Sequence, residues 1–169
     1  MKNDKMTKDT LPTGFTVGMA VVDLIPCIFF SGIGIILGLM LSSILFYIGA
    51  GLTFISGLIK AIWKMIVAKK HKNIWPMFVQ MRIVMPIGFL LMIIGFIVYA
   101  CTNDLSVLSG FNNIYSWILL VLGLIGMGLM FVFAFKLDSS SPKSNWIEQI
   151  CNSFAQCFIF LACLIAYIL

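Results

Sequence analysis

The chain has 169 residues, of which 62% are hydrophobic and only 10% are charged, and its formal net charge is +5. About a quarter of the residues of an ordinary soluble domain are charged, so this composition excludes a soluble globular protein and predicts a membrane protein. The lysines lie between apolar segments and form no extended basic face, which argues against a nucleic-acid partner.

The amino-terminal segment, residues 1–14, mixes lysines with aspartates and is expected to remain in the mature protein as a cytoplasmic segment. The apolar segment that follows it is too long for one helix, because a membrane span needs about 20 residues. We therefore predict a hairpin that turns at Ser42-Ser43 and has helices at 15–41 and 44–68.

Three further apolar segments follow the hairpin, and they predict helices at 76–101, 114–135 and 146–169. Pro86 lies inside the first of these segments and is expected to kink it, because proline removes a helical hydrogen bond. The predicted fold class is all-α: a polytopic helical membrane bundle of about five transmembrane helices, which forms a single domain over residues 15–169.

The positive charges predict the orientation of this bundle. With five crossings and the amino terminus in the cytoplasm, all 11 lysine and arginine residues fall at or near the cytoplasmic side. Asp104 is then the only charged side chain outside, and the carboxyl terminus also lies outside. We expect a multi-pass protein of a plasma (cytoplasmic) membrane, with membrane lipids as its surroundings.

Asp23 is the residue that most needs explanation, because a carboxylate in an apolar segment is costly and faces the bundle interior, a cavity or a partner. Counting residues from the turn places Asp23 and Lys60 at nearly the same depth, near the cytoplasmic edge of the hydrocarbon layer. The two side chains could form a structural pair. Alternatively, Asp23 could line a ligand site together with the Val22 carbonyl, whose helical donor Pro26 removes.

The start of the fifth helix carries Glu148, Asn152 and Gln156 at intervals of four residues. Asn145 and Glu148 have the spacing of a capping box, which would make Glu148 structural or a supporting residue. Asn152 and Gln156 lie too deep for a cap, so we expect their amides to bond to another helix or to line a polar cavity.

Gln80 and Arg82, at the start of the third helix, are further supporting candidates for such a site. An arginine at a helix end is also a common interfacial anchor. The one histidine has no second histidine or acidic cluster beside it, so the sequence predicts no metal site. The five cysteines contain no C-x-x-C pair, no standard catalytic signature is present, and we predict no cofactor.

The leading functional hypothesis is a small transporter-like protein, or the membrane subunit of a transport system. Its cytoplasm-facing polar site would bind a ligand through Asp23, Lys60, Asn152 and Gln156, because intramembrane polar groups mark ligand pathways.

Two other hypotheses remain open. The chain could instead be an interaction or assembly protein, which forms a homodimer or joins a partner membrane protein through glycine-rich helix faces. In the less favoured third hypothesis it is an enzyme that modifies lipid headgroups, with phosphate contacts from Lys60, Lys64 and Arg82.

Overall fold

The computed structural model of the protein describes residues 14–137 and 141–169, so the predicted segment 1–14 lies outside it except for its last residue. The described ranges contain helices and turns and no strand. Five helical segments are long and apolar enough to cross a membrane. The predicted all-α bundle of five spans is therefore confirmed.

We number the five spans in chain order, and two of them consist of two helices each. Span 1 is Val17–Val22 and Leu24–Met40, span 2 is Ile44–Lys70, span 3 is Trp75–Val79 and Met81–Thr102, span 4 is Ile114–Lys136, and span 5 is Pro142–Ile168. A 3-10 helix, Leu105–Asn112, lies in the segment between spans 3 and 4 that the sequence predicted as a loop.

The predicted turn at Ser42-Ser43 is confirmed. Span 1 ends at Met40, Ser42 adopts a left-handed backbone with φ of 47°, and Ser43 caps span 2. The two spans approach closely: a methyl group added to Gly34 would lie 2.6 Å from the Cβ of Ala50. The small residues of this hairpin therefore pack against each other inside the bundle.

The helix Met81–Thr102 of span 3 contains Pro86, and span 3 is interrupted at Gln80. The kink at Pro86 stays a prediction. The start of span 5 differs from the prediction. Span 5 begins at Pro142 rather than near Trp146, because a proline in the first turn of a helix loses no hydrogen bond. Span 5 thus has 27 residues, more than the about 20 that a crossing needs.

The spans pack in the lateral order 3, 2, 1, 5, 4. Spans 1, 2 and 5, which we call the inner spans, therefore have neighbours on two sides, whereas spans 3 and 4, the outer spans, each pack along only one other span. The helices of the outer spans are mostly exposed on the surface of the bundle. Spans 3 and 4 do not pack along each other.

Two apolar clusters fill the ends of the bundle. One surrounds the fully buried Trp63 and includes Met19, Val67 and Phe78. It lies at the end with the loop 71–74 and with Lys69, Lys70 and Lys72, which we call the basic end. The other cluster lies at the opposite end, where the 3-10 helix packs against it. The polar groups of the candidate site lie in the bundle between these two clusters.

Candidate functional site

Span 1 is interrupted at Asp23, between the helices Val17–Val22 and Leu24–Met40. Pro26 has no N–H to donate to the carbonyl of Val22, so the regular helical bonding fails at this point. The Asp23 side chain points into the bundle, and the residue is only 6% exposed. The buried carboxylate of Asp23 therefore lies at an interruption of the helix, three residues before Pro26.

Two lysines of span 2 surround this carboxylate. Lys60 Nζ lies 3.3 Å from both Oδ1 and Oδ2 of Asp23, and Lys64 Nζ lies 3.2 Å from Oδ2. The contacts at Oδ2 are ion pairs without directed hydrogen-bond geometry. The Lys64 side chain is 4% exposed and that of Lys60 is 25% exposed. Lys60 is therefore the partner that water can reach.

Span 5 adds polar groups to Lys64. The side-chain amide of Gln149 is oriented so that both its nitrogen and its oxygen have partners. The nitrogen donates to the Met19 carbonyl at 3.0 Å, and the oxygen accepts from Lys64 Nζ at 2.5 Å. The ammonium group also lies 5.6 Å from the ring centre of Phe15, a distance at which a cation is attracted to the ring. Lys64 therefore contacts Gln149 of span 5 and Phe15, just before span 1, as well as Asp23.

Glu148 is half-buried on span 5 and interacts electrostatically with both lysines. Together with Asp23 it gives two carboxylates for two ammonium groups. We call Asp23, Lys60, Lys64 and Gln149 the charge cluster, with Glu148 at its edge. The cluster joins the three inner spans at the basic end.

A groove of about 380 Å³ lies next to the charge cluster and further from the basic end. All five spans contribute to its lining, including Cys27, Thr53, Pro86, Met127 and Gln156. Its walls are mainly apolar, as is typical of small-molecule sites with a few oriented polar groups.

Gln156 carries the least satisfied polar group of this groove. The residue is 6% exposed, its Nε2 donates to the thioether Sδ of Met127 at 3.3 Å, and its buried Oε1 has no hydrogen-bond partner. A thioether is a weak acceptor, and an unpaired polar atom surrounded by hydrocarbon is costly. Asn152 also lines the groove, one turn earlier on span 5.

Cys27 connects the groove to the charge cluster. Its side chain lines the groove, and its Sγ donates to the backbone carbonyl of Asp23 at 3.4 Å. The four residues predicted as a ligand site therefore form two neighbouring pairs. Asp23 and Lys60 lie in the cluster, and Asn152 and Gln156 lie in the groove.

The supporting candidates Gln80 and Arg82 do not join the cluster. Gln80 accepts a hydrogen bond from Ser56 Oγ and donates to the Ser56 carbonyl, both at 3.0 Å, which fixes span 3 against span 2. The guanidinium of Arg82 lies 4.9 Å from the ring centre of Phe78. The hypothesis that Arg82 joins the lysines in one phosphate site therefore gains no support from the geometry.

The capping box predicted at Asn145 and Glu148 is wrong. The cap residue of span 5 is Ser141, and Asn145 lies within the helix, where its Nδ2 donates to the Ser141 carbonyl at 3.1 Å. Because the helix begins a turn earlier than predicted, Glu148 falls in its second turn. This places Glu148 beside the lysines.

Sequence reasoning missed the roles of Lys64 and Gln149 in the cluster. Lys64 follows Lys60 by one helical turn, so the two share a face of span 2. Depth counting selected only the lysine level with Asp23. Gln149 carried no such signal, because its role depends on how spans 1 and 5 pack.

Within the described ranges, no group of three histidine, cysteine, aspartate or glutamate side chains could hold a metal ion. A scan of family models, a search of curated proteins and a search of solved structures each found no match.

Proposed function

We propose that this integral membrane protein is a small transport-type protein, or the membrane subunit of a transport system. Its ligand site would consist of the charge cluster and the adjoining groove. The observation that supports this most is their connection through Cys27, which lines the groove and contacts the Asp23 backbone. Buried ionisable groups beside a cavity are typical of ligand pathways in membranes.

In this proposal Lys60 is the exchangeable member of the charge cluster. Its side chain is 25% exposed and contacts only the Asp23 carboxylate among the described ion pairs. Lys64 is nearly fully buried and has further contacts with Gln149 and Phe15. Release of Lys60 from Asp23 would remove one of the two ion pairs between spans 1 and 2 at the basic end, while Lys64 keeps the carboxylate paired.

The proposed path to the groove leads from the basic end, which we place in the cytoplasm because lysine and arginine collect on that side of membranes. The path can be tested with a variant in which Cys27 is the only cysteine. A charged methanethiosulfonate reagent is added to sealed vesicles of either orientation. We expect Cys27 to react from the cytoplasmic face alone, and to react several-fold faster after Lys60→Met.

The matched control is Lys69→Met, which removes an exposed lysine from the end of the same helix. It should leave the labelling rate unchanged. Labelling that is equal from both faces, or absent until the protein is unfolded, would contradict access from the cytoplasm.

Transport itself can be tested without a known substrate. Proteoliposomes are incubated with a small-molecule extract of cells, and their contents are compared by mass spectrometry with and without prior labelling of Cys27. We expect at least one compound to accumulate only when Cys27 is unlabelled. If no compound differs, the transport proposal fails.

The interaction hypothesis is the second candidate, and the outward-facing glycines of the bundle favour it. A Cβ added at Gly51 or Gly128 would meet nothing within 4 Å, so these two positions could accept the close approach of another helix. A partner bound there should co-purify in mild detergent. It should dissociate after Gly128→Leu while Cys27 labelling stays unchanged.

A further inference from the structure

The groove opens sideways, between the two outer spans. Spans 3 and 4 each pack on an inner span and do not pack along each other. Phe89 of span 3 and Met127 of span 4 line the groove and are 52% and 38% exposed, respectively. In a bilayer these surfaces face hydrocarbon, so the groove is accessible to molecules dissolved in the membrane.

The polar groups inside the groove select a particular ligand chemistry. Gln156 Oε1 is a buried acceptor without a donor, and such a group gains from any ligand that supplies an O–H. Asn152, one turn away, carries an amide N–H that could donate to the same hydroxyl oxygen. The remaining lining is mainly apolar, with Phe30 and Pro86, and the Thr53 hydroxyl and the Cys27 thiol bond to carbonyls of their own spans.

The size of the groove favours a small molecule over another helix. Its volume of about 380 Å³ lies in the range of small-ligand pockets. A transmembrane helix is about 10 Å across and satisfies its own backbone N–H groups. Such a helix could therefore satisfy Gln156 only if one of its side chains carried a donor at that position, which makes a small molecule the better fit.

We propose that the groove binds a membrane-soluble ligand that has a hydrocarbon chain and a hydroxyl group. The ligand enters from the bilayer between spans 3 and 4, so the groove is open to the bilayer as well as to the proposed path from the basic end. The chain lies against the apolar walls, and the Gln156 side chain, which is 6% exposed, turns its amide toward the groove so that Oε1 accepts a hydrogen bond from the hydroxyl. This inference rests on the proposed function in that it names the ligand class of the same site, but binding can be measured without transport.

Two photoactivatable probes test the inference: hexadecanol with a diazirine in its chain, and the methyl ether of the same molecule. The probes differ in one hydrogen-bond donor. The full-length protein is reconstituted in vesicles with each probe, irradiated, and analysed for labelled peptides. We expect the alcohol to label the groove-lining segments about three to ten times more than the ether, which is the ratio that one hydrogen bond supplies.

Gln156→Leu removes the acceptor and replaces it with an apolar side chain of similar size. It should abolish the preference for the alcohol while the ether still labels the groove. The matched control is Ser153→Ala, on the same helix, whose hydroxyl bonds to the Gln149 carbonyl and faces a different cavity. This control should keep the preference.

Three results would overturn the inference. They are equal labelling by both probes in the unchanged protein, loss of the preference in Ser153→Ala, and exclusion of both probes by a second protein chain in the groove. The proposed function fails separately. If Cys27 stays inaccessible from water but the alcohol preference is present, the groove binds lipid without serving transport. If Cys27 is accessible and no preference exists, the site takes another ligand class.

Discussion

Replacing Asp23 with leucine should destabilise the protein strongly, because it leaves the buried Lys64 and the partly buried Lys60 without their shared carboxylate. Removing one partner of a buried ion pair costs about 3 to 5 kcal/mol. Lys60 is 25% exposed and can turn toward water, so we expect the lower value, about 3 kcal/mol. Most of this cost falls on Lys64, whose side chain is 4% exposed.

The decisive comparison is a triple variant that removes all three charges: Asp23→Leu, Lys60→Met and Lys64→Met. Replacement of a whole buried ionic group by apolar residues of similar volume is often neutral or stabilising. The triple variant should therefore recover most of the stability that Asp23→Leu loses. Its recovery should be incomplete, because Gln149 loses the donor that Lys64 provides.

Thermal unfolding in one detergent, followed by tryptophan fluorescence, measures these differences. On the scaling for domains of 150 to 250 residues, about 3 kcal/mol lowers Tm by about 6 to 12 °C. Lys69→Met, which removes an exposed lysine, is the control and should change Tm very little. The reasoning would be refuted if Asp23→Leu left Tm unchanged, or if the triple variant unfolded below Asp23→Leu.

Three further predictions concern packing and orientation. Gly57→Ala should lower stability by about 1 to 2 kcal/mol, because its methyl group would overlap the Cys27 side chain, whereas Gly51→Ala should not, since its surroundings are open; unfolding curves that fail to separate the two would contradict this packing. Ser56→Ala should cost about 1 to 3 kcal/mol in the same measurement, because it removes the donor to Gln80 Oε1, and an unchanged Tm would rule that bond out. Alkaline phosphatase fused to the carboxyl terminus should be active, and the same enzyme inserted between spans 2 and 3 should be inactive; the reverse pattern would invert the orientation.

The spans and the first turn were predictable because each depends on local properties of the chain. Apolar length gives the number of spans, and a pair of serines between two apolar segments gives the turn. The start of span 5 was predicted a turn late, because Asn145 with Glu148 imitates a capping box. The actual start at Pro142 follows a serine that makes no side-chain capping bond.

The candidate site was predictable in part. Depth along two antiparallel helices paired Asp23 with Lys60, since both lie a known number of residues from one turn. The rotation of the helices about their axes is set by packing, so the sequence could not show that Lys64 reaches the same carboxylate. The lateral order of the spans could not be predicted from the sequence either. This order places Asn152 and Gln156 in the lining of a groove.

The distribution of buried polar residues supports the proposal that this groove binds a ligand. Apart from Ser116 of span 4, the buried polar and charged residues of the described ranges lie on the inner spans. Most of them are satisfied within that layer, as the charge cluster is. The outer spans cover this polar layer with apolar helices. Spans 3 and 4 do not pack along each other, and the groove lies between them. Gln156 is one of the residues that line the groove, and its buried oxygen has no hydrogen-bond partner. A donor that comes from outside the chain would complete its bonding once the amide turns toward the groove.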